Sequence, residues 1–400
     1  MKCSRAVVHH YCEEAKKKLL SANKELSADE AMELIEEVVF NGSEELTLQE
    51  CKFLVHQIYA KTRSKLGILD NLIDESDINE IMVDSPNDIF IEQKGEMIRL
   101  ERNFDSVEEL EEVIRNIAAN VHREINELNP ILDARLDDGS RVNAVYKNVA
   151  INGPALTIRK FSRDRITIEE MVKKGTLTQE CADFLKDLIV CGYNLFISGG
   201  TSSGKTTFLN ALSDYIPRHE RVIVIEDSAE LQLSNIDNLI QMECHNANTM
   251  GQGKISMDML IKTSLRMRPD RIIVGEVRGR EVSEMLQAMN TGHDGSMSTG
   301  HGNSVSGMLR RLEAMYLMSV QIPIDAVRAQ LVEGIDVMIH LGRLDNGKRK
   351  VLEVQELVDF IDGKYVLQPL FLLNEQMELS STGKKMNNLH KFRLKGKSYD

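Results

Sequence analysis

Four hundred residues are more chain than one core ordinarily holds, so two or three domains are expected. With 42% hydrophobic and 28% charged residues, the composition fits a folded globular protein and excludes a disordered or fibrous one. The formal charge of −13 disfavours a nucleic-acid binder, because a phosphate backbone repels an acidic surface.

At the start of the chain Ala6-Val7-Val8 is the apolar run before Glu13 and Glu14, too short for a signal-peptide core. The uncharged stretch from Leu188 to Gly204 is interrupted by Gly192, Asn194 and Ser198 to Gly204, which makes it a poor membrane span. The cysteines at 3, 12, 51, 181, 191 and 244 include no C-x-x-C pair, a pattern that suits reduced thiols in a cytosol.

Residues 1–70 read as a helical appendage. Ser27 and Glu30 form a capping box ahead of Ala31, Leu34, Ile35, Val38 and Val39, and Asn41-Gly42 is the stop. Thr47 and Glu50 open a second helix through Phe53, Leu54 and Ile58, with Gly67 at its end. Residues 71–155 read as a small α/β domain. Asp88–Glu92 and Met97–Leu100 are strand-like about the turn Lys94-Gly95. Ser106 and Glu109 cap an amphipathic helix carrying Val107, Leu110, Val113, Ile114, Ile117 and Val121. Ile131–Leu136 and Arg141–Val145 flank Asp137-Asp138-Gly139-Ser140, a hairpin signal. Residues 156–165, with Thr157–Phe161, are expected to be an interdomain linker.

From 166 to 375 strands and helices alternate, as in a mostly parallel sheet with crossover helices. The expected strands are Asn194–Ser198, Arg221–Ile225, Arg271–Val274, Ser296–Gly300 and Asp336–Leu341, with a hairpin-like piece after 345. Residues 376–400 form a polar tail, and within it residues 382–400 carry Lys384, Lys385, Lys391, Arg393, Lys395 and Lys397 against a single Asp400. Disorder is the expectation there, with a hold on anionic lipid or an acidic partner as the sharper alternative.

One motif decides the class. The apolar strand Leu195-Phe196-Ile197-Ser198 runs into Gly199-Gly200-Thr201-Ser202-Ser203-Gly204-Lys205-Thr206, a complete G-x-x-x-x-G-K-[ST], and Thr207 continues into a helix. Glycines let consecutive N–H groups point at phosphates, and the helix N-terminus adds positive potential. Lys205 reaches the β- and γ-phosphates while the Thr206 hydroxyl can ligate Mg²⁺. A guanine-reading N-K-x-D is missing downstream, as is L-S-G-G-Q. Glu226 and Asp227, with Glu230 beyond, end the next strand where ligands bind in such sheets; they orient water, hold Mg²⁺ or are simply solvated. Arg271-Ile272-Ile273-Val274 ends in Gly275-Glu276-Val277-Arg278, and Gly275 stands where many P-loop ATPases have Asp. His293 and His301 bracket a short strand, each preceded by Thr-Gly, and an imidazole can donate to a γ-phosphate oxygen. Zinc binding through these and Cys244-His245 has a spacing unlike known ligand sets.

In this order the motifs resemble the ATPase superfamily of type II and type IV secretion and type IV pilus machines, and most the CpaF type of tight-adherence (Flp) pili. The resemblance rests on the P-loop at 199–206, Val224-Ile225-Glu226-Asp227, LRMRPDRIIVGEVRG at 265–279, AMNTGHDGSMSTGHGNS at 288–304, and DARLDDGSRVNAV with GPALTIRKF upstream. It implies an α/β N-terminal domain, a RecA-like ATPase domain and a hexameric ring. By residue it implies a water-polarising Glu226, a Walker B Glu276 supporting Mg²⁺ with Thr206, and His293 and His301 as γ-phosphate sensors. Arg135, Arg141, Arg159 and Arg278 become nucleotide-facing cations, Arg135 or Arg141 from a neighbouring subunit in one arrangement. Two departures are Lys147-Asn148, where the family often has Pro-Pro, and Gly302, where it often has Ala; the zinc-binding cysteines of many type II members are also missing.

The expected function is therefore a Mg²⁺-dependent ATPase motor for pilus assembly or secretion. It would be cytoplasmic, held at the membrane by polytopic platform proteins and acting indirectly on pilin or secreted protein, without nucleic acid. Hydrolysis would rotate one domain on the other about Val149–Lys160. The alternatives are a RecA-like motor that moves nucleic acid and a nucleotide-gated scaffold without turnover.

Overall fold

The computed structural model describes residues 5–22, 26–42, 46–63, 66–136, 138–161, 165–245, 252–344 and 346–397. They pack as two units divided at Ser162 and Arg163. The first begins with α1 (Arg5–Ser21), α2 (Ala28–Asn41) and α3 (Leu48–Arg63), which share a core of Tyr11, Cys12, Ala15, Ile35, Val39, Leu54 and Ile58. Both capping boxes form: Ser27 N donates to Glu30 Oε2 at 2.9 Å and Thr47 N to Glu50 Oε2 at 3.0 Å. The third helix stops at Arg63, short of Gly67, whose φ of +57° instead opens a single 3₁₀ turn.

The same unit continues with α4 (Asp70–Asp74), β1 (Ile78–Ser85), β2 (Asp88–Gln93), β3 (Glu96–Arg99), α5 (Val107–Asn120), β4 (Ile131–Arg135), β5 (Arg141–Val145) and β6 (Ala155–Arg159). The strands make one antiparallel sheet in the order β3-β2-β1-β6-β5-β4. Ile81, Val83, Ile89, Val142, Ala144, Leu156 and Ile158 line its buried face under Leu110, Val113, Ile114 and Ile117 of α5.

The linker expected at 156–165 is corrected. Residues 156–159 lie inside β6, paired with β1 on one side and β5 on the other. Leu156 and Ile158 alternate with Thr157 and Arg159, so a strand buries the apolar pair that a linker would leave in water. Val149–Lys160 is correspondingly no simple hinge. Residues 162–164, and Asp137 of the hairpin, lie outside the described residues. Lys147, at the Pro-Pro departure, has its Nζ 2.8 Å from Oε1 of the buried Glu111 on α5.

The second unit runs α6 (Ile168–Lys173), α7 (Gln179–Cys191), β7 (Leu195–Gly199), α8 (Lys205–Ser213), β8 (Arg221–Glu226), β9 (Asn238–Glu243), α9 (Met257–Ser264), β10 (Arg271–Val277), α10 (Val282–Asn290) and β11 (Met297–His301). Then follow α11 (Val305–Leu317), α12 (Ile324–Gly334), β12 (Val337–Arg343), β13 (Arg349–Ile361), β14 (Lys364–Leu373), β15 (Leu379–Ser381) and α13 (His390–Leu394). The sheet order is β15-β14-β13-β12-β7-β11-β10-β8-β9, parallel from β12 to β9 and antiparallel beyond β12. Both faces are covered, so the central strands are apolar almost throughout. Val222 and Val224 of β8 face the α7 and α8 layer, while Ile223 and Ile225 face α9 to α12.

The expected disorder of 376–400 is also corrected for the described part, up to Lys397. Asn387 N and Asn388 N donate to the fully buried Glu356 carboxylate at 2.8 and 2.7 Å, and Asn387 Nδ2 adds a bond of 3.0 Å. Lys391 Nζ lies 2.8 Å from Asp336 and 2.7 Å from Asp294, and Met386 and Phe392 are buried. The segment's basic charge meets carboxylates that the fold places beside it, and its apolar residues complete a core. Glu356→Ala leaves those N–H groups unpaired, which is expected to cost roughly 2–4 kcal/mol. Urea unfolding, and new tryptic cleavage after Lys384 or Lys385 in the folded chain, are the checks.

Candidate active site

The P-loop leaves the carboxyl end of β7, and its shape follows from close contacts. A Cβ on Gly199 would sit 2.5 Å from Ser203 Oγ and 2.6 Å from Leu341 O, so only glycine fits. Ser202 and Gly204 take left-handed φ values of +57° and +91°, and Gly204 is the N-cap of α8. Gly200, Thr201 and Ser202 form the outer bend, and Thr206 and Thr207 are half-buried in the first turn of the helix. Ser203 Oγ is buried and has no hydrogen-bond partner.

Lys205 is only 6% exposed. Its ammonium donates to Gly199 O at 3.2 Å and Gly200 O at 3.0 Å, and lies 3.2 Å from His301 Nδ1. Burial lowers its pKa, and the field of Glu276 offsets part of that effect. The ammonium is thus held by neutral acceptors at a helix N-terminus lined with N–H donors, an arrangement that favours an anion.

His301 reaches this place by register, because β11 pairs with β7 so that His301 lies opposite Gly199. Its Nε2 is 2.8 Å from Glu276 Oε1, at ion-pair distance but without hydrogen-bond alignment. Burial pulls the His301 pKa down against the pull of Glu276, so the ring is neutral near pH 7. A neutral ring that accepts from Lys205 at Nδ1 carries its proton on Nε2, facing Glu276. Arg278 Nη2 donates to Glu276 Oε2 at 2.8 Å and Nη1 approaches Asp227 at 3.6 Å. Lys205, His301, Glu276 and Arg278 form one connected chain.

Glu226 ends β8, 4% exposed, and accepts from Glu230 N and Leu231 N at 3.0 and 3.1 Å. Burial pushes its pKa up to about 7, against those two bonds. Its Cγ lies 2.9 Å from where a Cβ on Gly275 would be. The glycine at the usual Asp position is therefore what lets the Glu226 side chain lie against β10.

His293 is a correction. It precedes β11, at the amino edge of the sheet, with Nδ1 3.2 Å from Ala288 O. The P-loop follows the carboxyl edge, and β11 alone puts about 13 Å between the two edges at ~3.3 Å per residue. The structure does not bring His293 to Lys205. Gly302 packs against Met308 of α11, whose Cβ and Sδ lie 3.0 and 3.1 Å from an added Cβ, so alanine would need Met308 to shift.

In the first unit Arg135, Arg141 and Arg159 are register partners across β4, β5 and β6, a row on the face opposite the core. Arg141 is held by Asp133 at 2.9 Å, and Arg135 lies over the Phe161 ring at 5.7 Å.

Two residues by the loop carried no sequence signal. His340 of β12 sits opposite Ser198 and its Nδ1 is 2.9 Å from Ser198 Oγ, with its pKa lowered by burial. Arg349 of β13 donates from Nε to Ser202 O at 3.0 Å. Both arrive through strand order, which short motifs do not encode.

Among the described residues no group of three or more His, Cys, Asp or Glu could hold a metal ion. The Thr206 hydroxyl at the helix start fits a Mg²⁺ carried in on phosphates. Glu276 Oε2 is taken by the Arg278 guanidinium and Oε1 lies 2.8 Å from the His301 ring, so Glu276 would reach such an ion through water.

Fold and loop together define a RecA-like P-loop domain preceded by a smaller α/β domain. The description "Type II/IV secretion system protein" belongs to the family model that matches residues 62–357, and the chain is a member of that family. An uncharacterized protein of Methanocaldococcus jannaschii is 43% identical over 247 residues, 58% of this chain and 33% of that protein, so the chain spans a third of that relative. The probable conjugal transfer protein TrbB of Sinorhizobium fredii is 31% identical over 309 residues, 76% of this chain and 91% of that one. The structure of the ATPase DotB of Legionella pneumophila shares the fold, with a TM-score of 0.53, 20% identity, and 74% of this chain and 80% of that chain covered. Among the described residues no helix is long and apolar enough to cross a membrane.

Proposed function

We propose that this chain hydrolyses ATP and that, as a ring of six, it drives protein secretion or pilus assembly from the cytoplasmic side of a membrane. The observation that carries the reading is the buried Lys205 ammonium, turned toward neutral acceptors inside an N–H-lined bend. A triphosphate tail supplies the anion this place lacks, and Lys205 then stabilises the charge that develops on the γ-phosphate. Glu226 takes the proton of the attacking water, and its raised pKa sets the pH at which it can do so. Arg278 holds Glu276 at one oxygen with His301 beside the other, and loss of the γ-phosphate frees Lys205 to tighten on His301. Mg²⁺, when bound through Thr206 and water on Glu276, neutralises phosphate charge. For the arginine row of the first unit and for placement among tight-adherence pilus motors, the motif resemblance is the support. Platform proteins of the membrane are the proposed partners.

A motor that moves DNA is a second reading, favoured by the likeness to TrbB. The test is phosphate release by the full chain with ATP and Mg²⁺, with EDTA and with single-stranded DNA, beside sedimentation in nucleotide. Mg²⁺-dependent turnover in a six-subunit particle, indifferent to DNA, is expected. No turnover overturns the proposal, and strong stimulation by DNA selects the second reading.

A further inference from the structure

The P-loop is touched from outside by a residue some 150 positions downstream in the chain. Arg349 opens β13 opposite Arg343 across the β12–β13 pair. Its Nε donates to Ser202 O at 3.0 Å, and its Cδ is 3.1 Å from where a Cβ on Gly204 would stand. Those contacts fall on the two left-handed residues of the bend, Ser202 at +57° and Gly204 at +91°. Serine adopts that φ against a steric cost and keeps it where its surroundings hold it.

A trans peptide points its C=O and N–H in opposite directions. With the Ser202 carbonyl fixed toward Arg349, the N–H of Ser203 turns into the loop, where Gly200 O accepts it at a long 3.4 Å. That donor makes only a long bond inside the protein, so a phosphate oxygen entering the bend would be a better acceptor for it.

We propose that Arg349 is a positioning residue that latches the 202–204 bend from outside, presetting the Ser203 N–H for the phosphates of the bound nucleotide. The proposal rests on the ATP reading above. It depends on an N–H in mid-side-chain, which arginine has at Nε and lysine lacks.

The test uses the full chain with Arg349→Lys and Arg349→Ala, beside wild type and Lys205→Ala. Both Arg349 variants are expected to raise KM for ATP about tenfold with kcat within about threefold, the split of a binding-geometry defect. The melting temperature without nucleotide stays within roughly 2 °C, and ethylguanidinium added to Arg349→Ala restores KM in part. An unchanged KM in Arg349→Lys, or a KM rise that follows a fall in nucleotide-free melting temperature, overturns the latch. In that case Mg²⁺-ATP hydrolysis by wild type and its loss in Lys205→Ala leave the ATPase reading standing. Failure of wild type to bind or hydrolyse ATP overturns both.

Discussion

Lys205→Ala is expected to lower ATP hydrolysis by roughly three orders of magnitude or more, the scale at which phosphoryl-transfer enzymes depend on one well-placed cation. The same change should leave the nucleotide-free fold almost as stable as before. The Lys205 pKa is lowered by burial, so the folded chain binds fewer protons than the unfolded one between the folded pKa and 10.5. Stability therefore rises with pH across that window, and at neutral pH the buried ammonium is a cost to the fold. Lys205→Met, which keeps the stem and drops the charge, should melt no lower than wild type. What both variants lose is the gain from ligand, about 2.7 kcal/mol for wild type at a nucleotide concentration 100 times Kd. Thermal melts with and without Mg²⁺-ATP, beside phosphate release, separate these effects. Retained turnover in Lys205→Ala refutes the assignment of the site.

The P-loop was legible because its chemistry is done by the main chain, and a main chain that must bend tightly writes itself locally as glycine spacing. The central strands were legible for a similar reason, since burial on both faces leaves apolar runs such as Arg221–Ile225 and Arg271–Val274. The half-exposed edge strand β9 has no such run and was missed. His293 and His301 looked equivalent as letters, yet one precedes β11 and the other ends it, and in a parallel sheet those are opposite edges. That distinction was available from the strand reading itself.

The remaining misses concern partners far away in the chain. The last segment read as disordered because Asp336 and Glu356, which receive it, are spelled out dozens of residues earlier. β6 read as a linker because, although β5 directly precedes it, its other neighbour β1 lies far upstream in the chain. Gly275 read as a lost carboxylate, and only the sheet order shows that Glu226 of the neighbouring strand uses the space. The arrangement couples one residue's smallness to another's burial, and that burial is what tunes the Glu226 carboxyl.

Glu226→Gln is accordingly expected to trade activity for stability. The folded pKa is raised to about 7 from an ordinary 4.5, so between those values the folded chain keeps a proton that the unfolded chain has released. Stability contributed by the protonated group is present at low pH and lost as pH rises through that window, up to about 3 kcal/mol by pH 8. Glutamine stays neutral and can accept from Glu230 N and Leu231 N through its one carbonyl oxygen. The variant should therefore be more stable than wild type at pH 8 and nearly equal to it at pH 4, below both pKa values. Its hydrolysis should fall by roughly 10²- to 10⁴-fold while ATP still binds, as when a general base is removed. Wild-type kcat/KM should rise with pH and level off above about 7, since it reports the free enzyme's base. Urea unfolding of both proteins at the two pH values, with a pH–rate profile, measures all of this. Equal stabilities at both pH values with unchanged turnover would move the base to Glu276.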